Sequence, residues 1–181
     1  MLKSLMTIGI LAGILSAGSA AHAQAMPTAV AKGLFQAGGG YTLVMPDYGQ
    51  KNIQGFTGFA DFDFRPHFGV EAVYHYVSIV TPLDLGENSF YAGPRYVYTR
   101  GRFSIYGKAL IGIGMIVIQE TQDNPQGGAG TYFSYGGGGG LDVRVGKHLV
   151  VRAIDAEYQH WDYRNGLTPI AFTVGAAYRF R

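Results

Sequence analysis

The chain contains no cysteine, which removes disulfides, thiolate nucleophiles and cysteine-based metal centres together. Charge is sparse too: Asp, Glu, Lys and Arg make up 14% of the 181 residues, and the formal net charge is +2. That balance lacks the basic surplus on which nucleic-acid binding depends, so no nucleic-acid partner is expected. Proline is low, at 7 residues. No His/carboxylate set has metal-ligand spacing, and no nucleophile stands beside a base. What is abundant is glycine (28) and tyrosine (13), a composition that suits many strands joined by tight turns.

The first residues carry an export signal. Lys3 supplies a positive start, Leu5 to Leu15 a short apolar stretch, and Ala21-His22-Ala23 a small-x-small cleavage site. The expected organisation is a leader over 1–23, a short lead-in over 24–32 and one domain over 33–181. Ala23-Gln24-Ala25 offers a second cleavage site after Ala25. An exported domain without disulfides must be held by a large core or by extensive backbone pairing.

Beyond the leader, apolar residues recur at alternate positions, the signature of strands. Phe56, Gly58, Ala60, Phe62 and Phe64 form one such set; Phe103, Ile105, Gly107, Ala109, Ile111 and Ile113 form another. Eight segments of this kind follow one another, and their connections alternate in length. Arg65-Pro66-His67, Arg100-Gly101-Arg102 and Gly146-Lys147-His148 are tight; Val44 to Ile53, Thr81 to Asn88, Glu120 to Thr131 and Asp162 to Leu167 are longer and polar. Short turns at one end and long loops at the other predict an up-and-down antiparallel meander. Each segment has the roughly ten residues of a tilted bilayer crossing.

Which face is wet decides the architecture. The set opposite the apolar one holds Asp61, Glu71, His75, Arg95, Lys108, Asp142, Asp155, Glu157 and Arg179. Along the apolar set, aromatics gather at both heights and leave Ala, Gly, Val, Ile and Leu between. Phe62, Phe68, Tyr96, Tyr98, Phe103, Tyr178 and Phe180 fall at the turn end; Phe56, Tyr74, Phe90, Phe133 and Tyr158 fall at the loop end. A bilayer selects two aromatic girdles around an aliphatic band, whereas a soluble core has no reason to sort aromatics by height. The expected fold is all-β, an eight-stranded antiparallel up-and-down transmembrane β-barrel with apolar residues outside.

Lys108, within the apolar stretch Phe103 to Ile118, then points to the lumen, since at mid-depth in lipid it would cost about 2–4 kcal/mol. Asp61 is expected across from Glu71, and Arg95 diagonal to Lys108. Each hairpin alone would concentrate like charge, so acidic and basic pairs are expected to neutralise each other. The predicted lumen network comprises Asp61, Glu71, Arg95, Lys108, Asp142, Asp155, Glu157 and Arg179. Arg152 is the exception: it sits in the apolar set near a strand end, where it is expected to snorkel to the interface.

Gly93-Pro94-Arg95-Tyr96, Tyr106-Gly107-Lys108-Ala109 and the closing Ala177-Tyr178-Arg179-Phe180 resemble the small OmpA-like outer-membrane β-barrel domains of Gram-negative bacteria. The resemblance covers essentially all of the chain beyond the leader. It implies an integral outer-membrane location, both termini in the periplasm, and contact with outer-membrane lipid. It also implies a final strand read by the barrel assembly machinery through Tyr178 and Phe180, with Arg181 one residue beyond the family's aromatic end. A separate peptidoglycan-binding domain is not expected after the eighth strand.

No catalysis and no cofactor are expected. Gly136 to Gly140 lies within a strand and is followed by no Lys-Ser/Thr, so it is read as small residues making room in a narrow lumen rather than a phosphate loop. His75 and Ser78 have opposite parity, and His160 with Asp162 gives no nucleophile. The basic turns, with His67 and His148, suit lipid phosphates. Eight strands enclose an interior that side chains can fill, and open porins need about twice as many. The expected function is a plugged, non-catalytic monomer with a structural or surface-interaction role, the alternative being a narrow or transient pore. Any extracellular ligand would meet Asp47, Tyr48, Lys51, Asp84, Glu87, Asp123, Trp161, Asp162 and Arg164 in the loops.

Overall fold

The computed structural model describes residues 33–47, 52–79, 85–118, 128–162 and 166–180. Eight strands follow in order: β1 (Leu34–Met45), β2 (Ile53–Asp63), β3 (Phe68–Ile79), β4 (Leu85–Arg100), β5 (Phe103–Ile118), β6 (Gly128–Arg144), β7 (Leu149–Trp161) and β8 (Ile170–Phe180). Each pairs antiparallel with the next, and β1 pairs with β8, so the sheet closes on itself. Closure removes both edges, which an open sheet in lipid would leave unpaired.

The period-two pattern is realised as an inside and an outside. Ile105 is 61% exposed and Ile111 64%, on the wall of a barrel whose buried side chains are largely polar. The turn-end aromatics and the loop-end aromatics named above are all exposed on the outer wall. A soluble monomer rarely shows more than a few hundred Å² of contiguous apolar surface; here the apolar belt encircles the barrel.

The strands run further than the loops predicted from sequence allow. β4 begins at Leu85 and β6 at Gly128, so Glu87 and Asn88 belong to a strand, not to the third–fourth connection. Glu87 is buried, and Trp161, the last residue of β7, is 1% exposed. Neither is available as a loop contact. Tyr48, Lys51, Asp84, Asp123 and Arg164 lie outside the described residues, as do the leader 1–23, the lead-in 24–32 and Arg181.

One irregularity reorganises β7. Asp142 pairs with Arg152 while Leu141 pairs with Ile154, and on the other side Arg152 pairs with Gly175 while Asp155 pairs with Thr173. Both neighbours therefore meet one extra residue on β7, a bulge at Ala153-Ile154. These two side chains are exposed in succession, and the parity of the strand reverses across them. Val150 and Arg152 therefore point inward, and both are buried. The expectation that Arg152 snorkels at the interface is thus overturned.

Two tight turns repeat a device. In the β2–β3 turn the His67 carbonyl accepts from Val97 N (2.9 Å), and His67 Nδ1 lies 2.9 Å from the Val97 carbonyl oxygen. In the β6–β7 turn the His148 carbonyl accepts from Arg179 N (2.8 Å), with His148 Nδ1 3.0 Å from the Arg179 carbonyl oxygen. Each ring stacks on a girdle tyrosine, His67 on Tyr96 and His148 on Tyr178. The histidines extend the strand pairing by one rung at the barrel rim.

Candidate functional site

The lumen is the candidate site. Register places its charges: Asp61 is opposite Glu71 on β2 and β3, as the turn count predicts, and Arg95 is directly opposite Lys108 on β4 and β5, rather than diagonal to it. Closure then brings these two pairs against β6 and β7. Lys108 Nζ donates to Glu71 Oε1 at 2.5 Å, Asp155 Oδ2 at 2.6 Å and Glu157 Oε1 at 2.6 Å. These three carboxylates are also the only grouping of potential metal ligands among the described residues, and a lysine ammonium sits among them.

Arg152 occupies the centre. Its Nη2 donates to Asp61 Oδ2 at 2.8 Å and its Nε to Asp142 Oδ1 at 3.1 Å; its Nη1 reaches Glu71 at 3.4 Å and Asp155 at 3.6 Å. The guanidinium carbon also lies 3.6 Å from the centroid of the Phe59 ring, the stacked geometry in which a desolvated arginine is stabilised by the ring. Arg95 pairs with Asp61 and donates through Nη2 to Asp142 at 2.8 Å, over the Tyr106 ring at 4.2 Å. Gln36 Nε2 donates to Asp61 at 2.7 Å and to Asp142 at 3.3 Å. Every member is buried, so the network holds together only because each charge meets several partners; a buried charge left alone is strongly destabilising.

Seven of the eight predicted network residues meet here, and Arg179 lies nearer the turn end. It is half-buried and lines a cavity at the turn end of the barrel with Asp63 and Arg144. Arg152 is the member sequence reading missed. His75 is another: its Nε2 lies 3.0 Å from Glu157 Oε2 and its Nδ1 2.6 Å from Thr57 Oγ1. Thr57 in turn contacts Thr42, which lies 2.7 Å from Thr173. Above this layer Tyr91 Oη lies 2.5 Å from Ser134 Oγ and donates to Gln159 Oε1 at 3.0 Å, which also accepts from Trp161 Nε1 at 3.1 Å. Polarity at inward positions signalled these residues, but their partners lie on strands far apart in sequence.

Small residues make the fit possible at two places. A Cβ on Gly140 would lie 2.5 Å from Tyr106 Oη, and one on Gly114 would lie 2.5 Å from Cδ2 and Cε2 of the Trp161 indole. Gly140 lies within the glycine run Gly136–Gly140, and its place beneath an inward tyrosine accords with small residues making room for large ones.

Thr57, His75 and Glu157 form a hydroxyl–imidazole–carboxylate chain of the kind that activates nucleophiles. All three are at most 3% exposed, and Glu157 is shared with Lys108. A nucleophile must reach a substrate, and this hydroxyl contacts only other lumen side chains in the described structure.

The family model for the outer membrane protein beta-barrel domain matches residues 10–180. No curated protein matches the sequence. Among solved structures, Ail, the attachment invasion locus protein of Yersinia pestis, superposes with a TM-score of 0.54 at 22% identity, covering 82% of this chain and 97% of that one. Ail has also been solved in complex with the heparin analogue sucrose octasulfate (TM-score 0.56). Neisserial surface protein A superposes with a TM-score of 0.58 at 14% identity (81% and 95% covered). OprG of Pseudomonas aeruginosa does so with a TM-score of 0.56 at 16% identity (82% and 96%). At these identities the likeness is one of fold.

Proposed function

The chain belongs to the outer membrane protein beta-barrel domain family, and from that premise we propose that this integral outer-membrane barrel is sealed by its own side chains and is non-catalytic. The observation that carries the reading is the Lys108 ammonium, held within 2.6 Å of carboxylates from β3 and β7, and so tying three strands across the lumen. Below it Arg95 and Arg152 join β4 and β7 to β2 and β6. Above it Tyr91, Gln159 and Trp161 close the next layer. Planar-bilayer recording tests the seal. The wild type is expected to show no steady openings; regular conductance that changes with Lys108→Ala or Glu71→Ala would establish the narrow-pore alternative instead.

Residues 1–23 act as the export leader in this reading. The short turns and both termini face the periplasm, and the longer loops face outward, the arrangement usual for such barrels. The closed sheet leaves no edge to pair with a second copy, which supports a monomer. Tyr178 and Phe180 are exposed on β8, where the barrel assembly machinery can read them during insertion. A band shift between unheated and heated samples from the outer-membrane fraction checks the folded, integral state.

A surface-interaction role is the second reading, and one contact favours it. Asp47 Oδ2, after β1, accepts from Thr168 N at 2.9 Å and from Thr168 Oγ1 at 2.6 Å. This tie joins the chain just after β1 to the segment just before β8. Exchange of these loops, read by binding of a sulfated polysaccharide or of host factors to whole cells, separates a recognition role from a structural one. Unchanged binding would leave the structural role.

A further inference from the structure

We propose that the turn-end mouth of the barrel is a binding site for a small phosphate-bearing anion. A cavity of about 250 Å³ opens there beneath the ion-pair network. It is smaller than the roughly 300–1,000 Å³ of sites for drug-sized ligands, so its occupant is compact. Its charged lining comprises Arg65, Arg95, Arg102, Arg144 and Arg179 against Asp63 and Asp142. Five cations against two carboxylates leave a formal surplus of three positive charges. Arg95 and Asp142 already bond to each other at 2.8 Å, so the remaining four arginines face one carboxylate, that of Asp63.

The chemistry of the lining selects the ligand. Guanidinium forks match the oxygens of phosphate bidentately, and a phosphate dianion offsets more of the surplus than a single carboxylate can. Arg144 Nη2 donates to the Gly101 carbonyl oxygen at 2.9 Å, which fixes that guanidinium while leaving its other N–H groups to donate. Thr99 and Ser104, whose hydroxyls lie 2.8 Å apart on one wall, add a neutral donor. At the inner end, Arg95 Nε is buried and has no hydrogen-bond partner among the described residues. The periplasmic source of the ligand rests on the orientation proposed above; the site itself does not.

The probe is inorganic phosphate, titrated calorimetrically into the refolded full chain in a phosphate-free maltoside detergent, where both barrel ends are accessible. Saturable one-site binding is expected, weakened at least tenfold in the Arg102→Gln/Arg144→Gln double variant. It should stay within twofold of wild type in Arg100→Gln, which removes a rim arginine outside the cavity. Gel heat-modifiability verifies that each variant folds. Should the double variant misfold, Arg102→Gln alone, in a turn, is expected to weaken binding about threefold. A second arm repeats the titration in phosphatidylcholine nanodiscs with and without phosphatidic acid. Loss of phosphate binding on adding phosphatidic acid identifies a lipid headgroup as the natural source, and unchanged binding identifies a soluble phosphate; both support the site. Non-saturating uptake, equal affinity in the cavity variants, or equal weakening by Arg100→Gln overturns it. Failure here leaves the sealed-lumen reading intact, since that reading is tested by conductance.

Discussion

Replacing Lys108 by methionine distinguishes the two faces of the barrel wall by the sign of its effect. On the lipid face at mid-depth, removing the ammonium would stabilise the barrel by about 2–4 kcal/mol. In the lumen it removes the one cation shared by Glu71, Asp155 and Glu157. Five buried carboxylates then face two guanidinium groups where they faced three cations. Glu71 keeps Arg152 at 3.4 Å and Arg95 at 3.6 Å, and Asp155 keeps Arg152 at 3.6 Å, but among the described residues Glu157 keeps only His75. Breaking a buried pair from one side costs about 3–5 kcal/mol, so Lys108→Met should destabilise by about that much. Because Glu157 loses most, adding Glu157→Gln should restore part of the loss, and the two substitutions should be clearly non-additive. Reversible urea unfolding in vesicles measures this, with Trp161, the single tryptophan, as the fluorescent reporter. Stabilisation, or a change below about 1 kcal/mol, would refute the inward placement of Lys108.

Three further outcomes follow from the geometry. Arg152→Met should also destabilise by about 3–5 kcal/mol, because Arg152 bridges Asp61, Glu71 and Asp142; a gain in stability in the same unfolding assay would return this side chain to the lipid face. Gly114→Val should displace the indole it abuts, since even a Cβ there falls 2.5 Å from Trp161, and the emission of Trp161 should shift to the red; an unchanged spectrum would contradict the packing. His67→Ala and His148→Ala should each cost about 0.5–1.5 kcal/mol for the lost ring-to-carbonyl bond. Their effects should add in the double variant because the two turns share no partner, as denaturant midpoints with an unchanged slope would show.

Much of the barrel could be read from residue order because a strand alternates its side chains on a fixed period. That period alone separates Phe103, Ile105 and Ile111 from Tyr106 and Lys108, and the Pro66 turn alone sets Asp61 opposite Glu71. The number of strands and the alternation of tight turns with long loops follow from the same pattern. Glu87 and Trp161 marked its limit: polarity near a presumed loop does not show where strand pairing stops, and β4 and β7 continue far enough to turn both residues inward. The charge on Arg152 was itself a sign that parity breaks nearby, since an arginine in an otherwise apolar set is an expensive exception in lipid.

Local order fixed the face of most residues, through backbone geometry that each strand carries with it. Closure decided what they meet. The bulge at Ala153-Ile154 exists only against β6 and β8, which fix how many residues of β7 they oppose, and it alone carries Arg152 from the lipid side to the centre of the lumen. The meeting of Lys108 with Glu157, and of Arg95 with Asp142, depends on strands far apart in sequence brought across one narrow interior. Desolvation makes each of those charges need a partner, and the closed wall determines which partner is within reach.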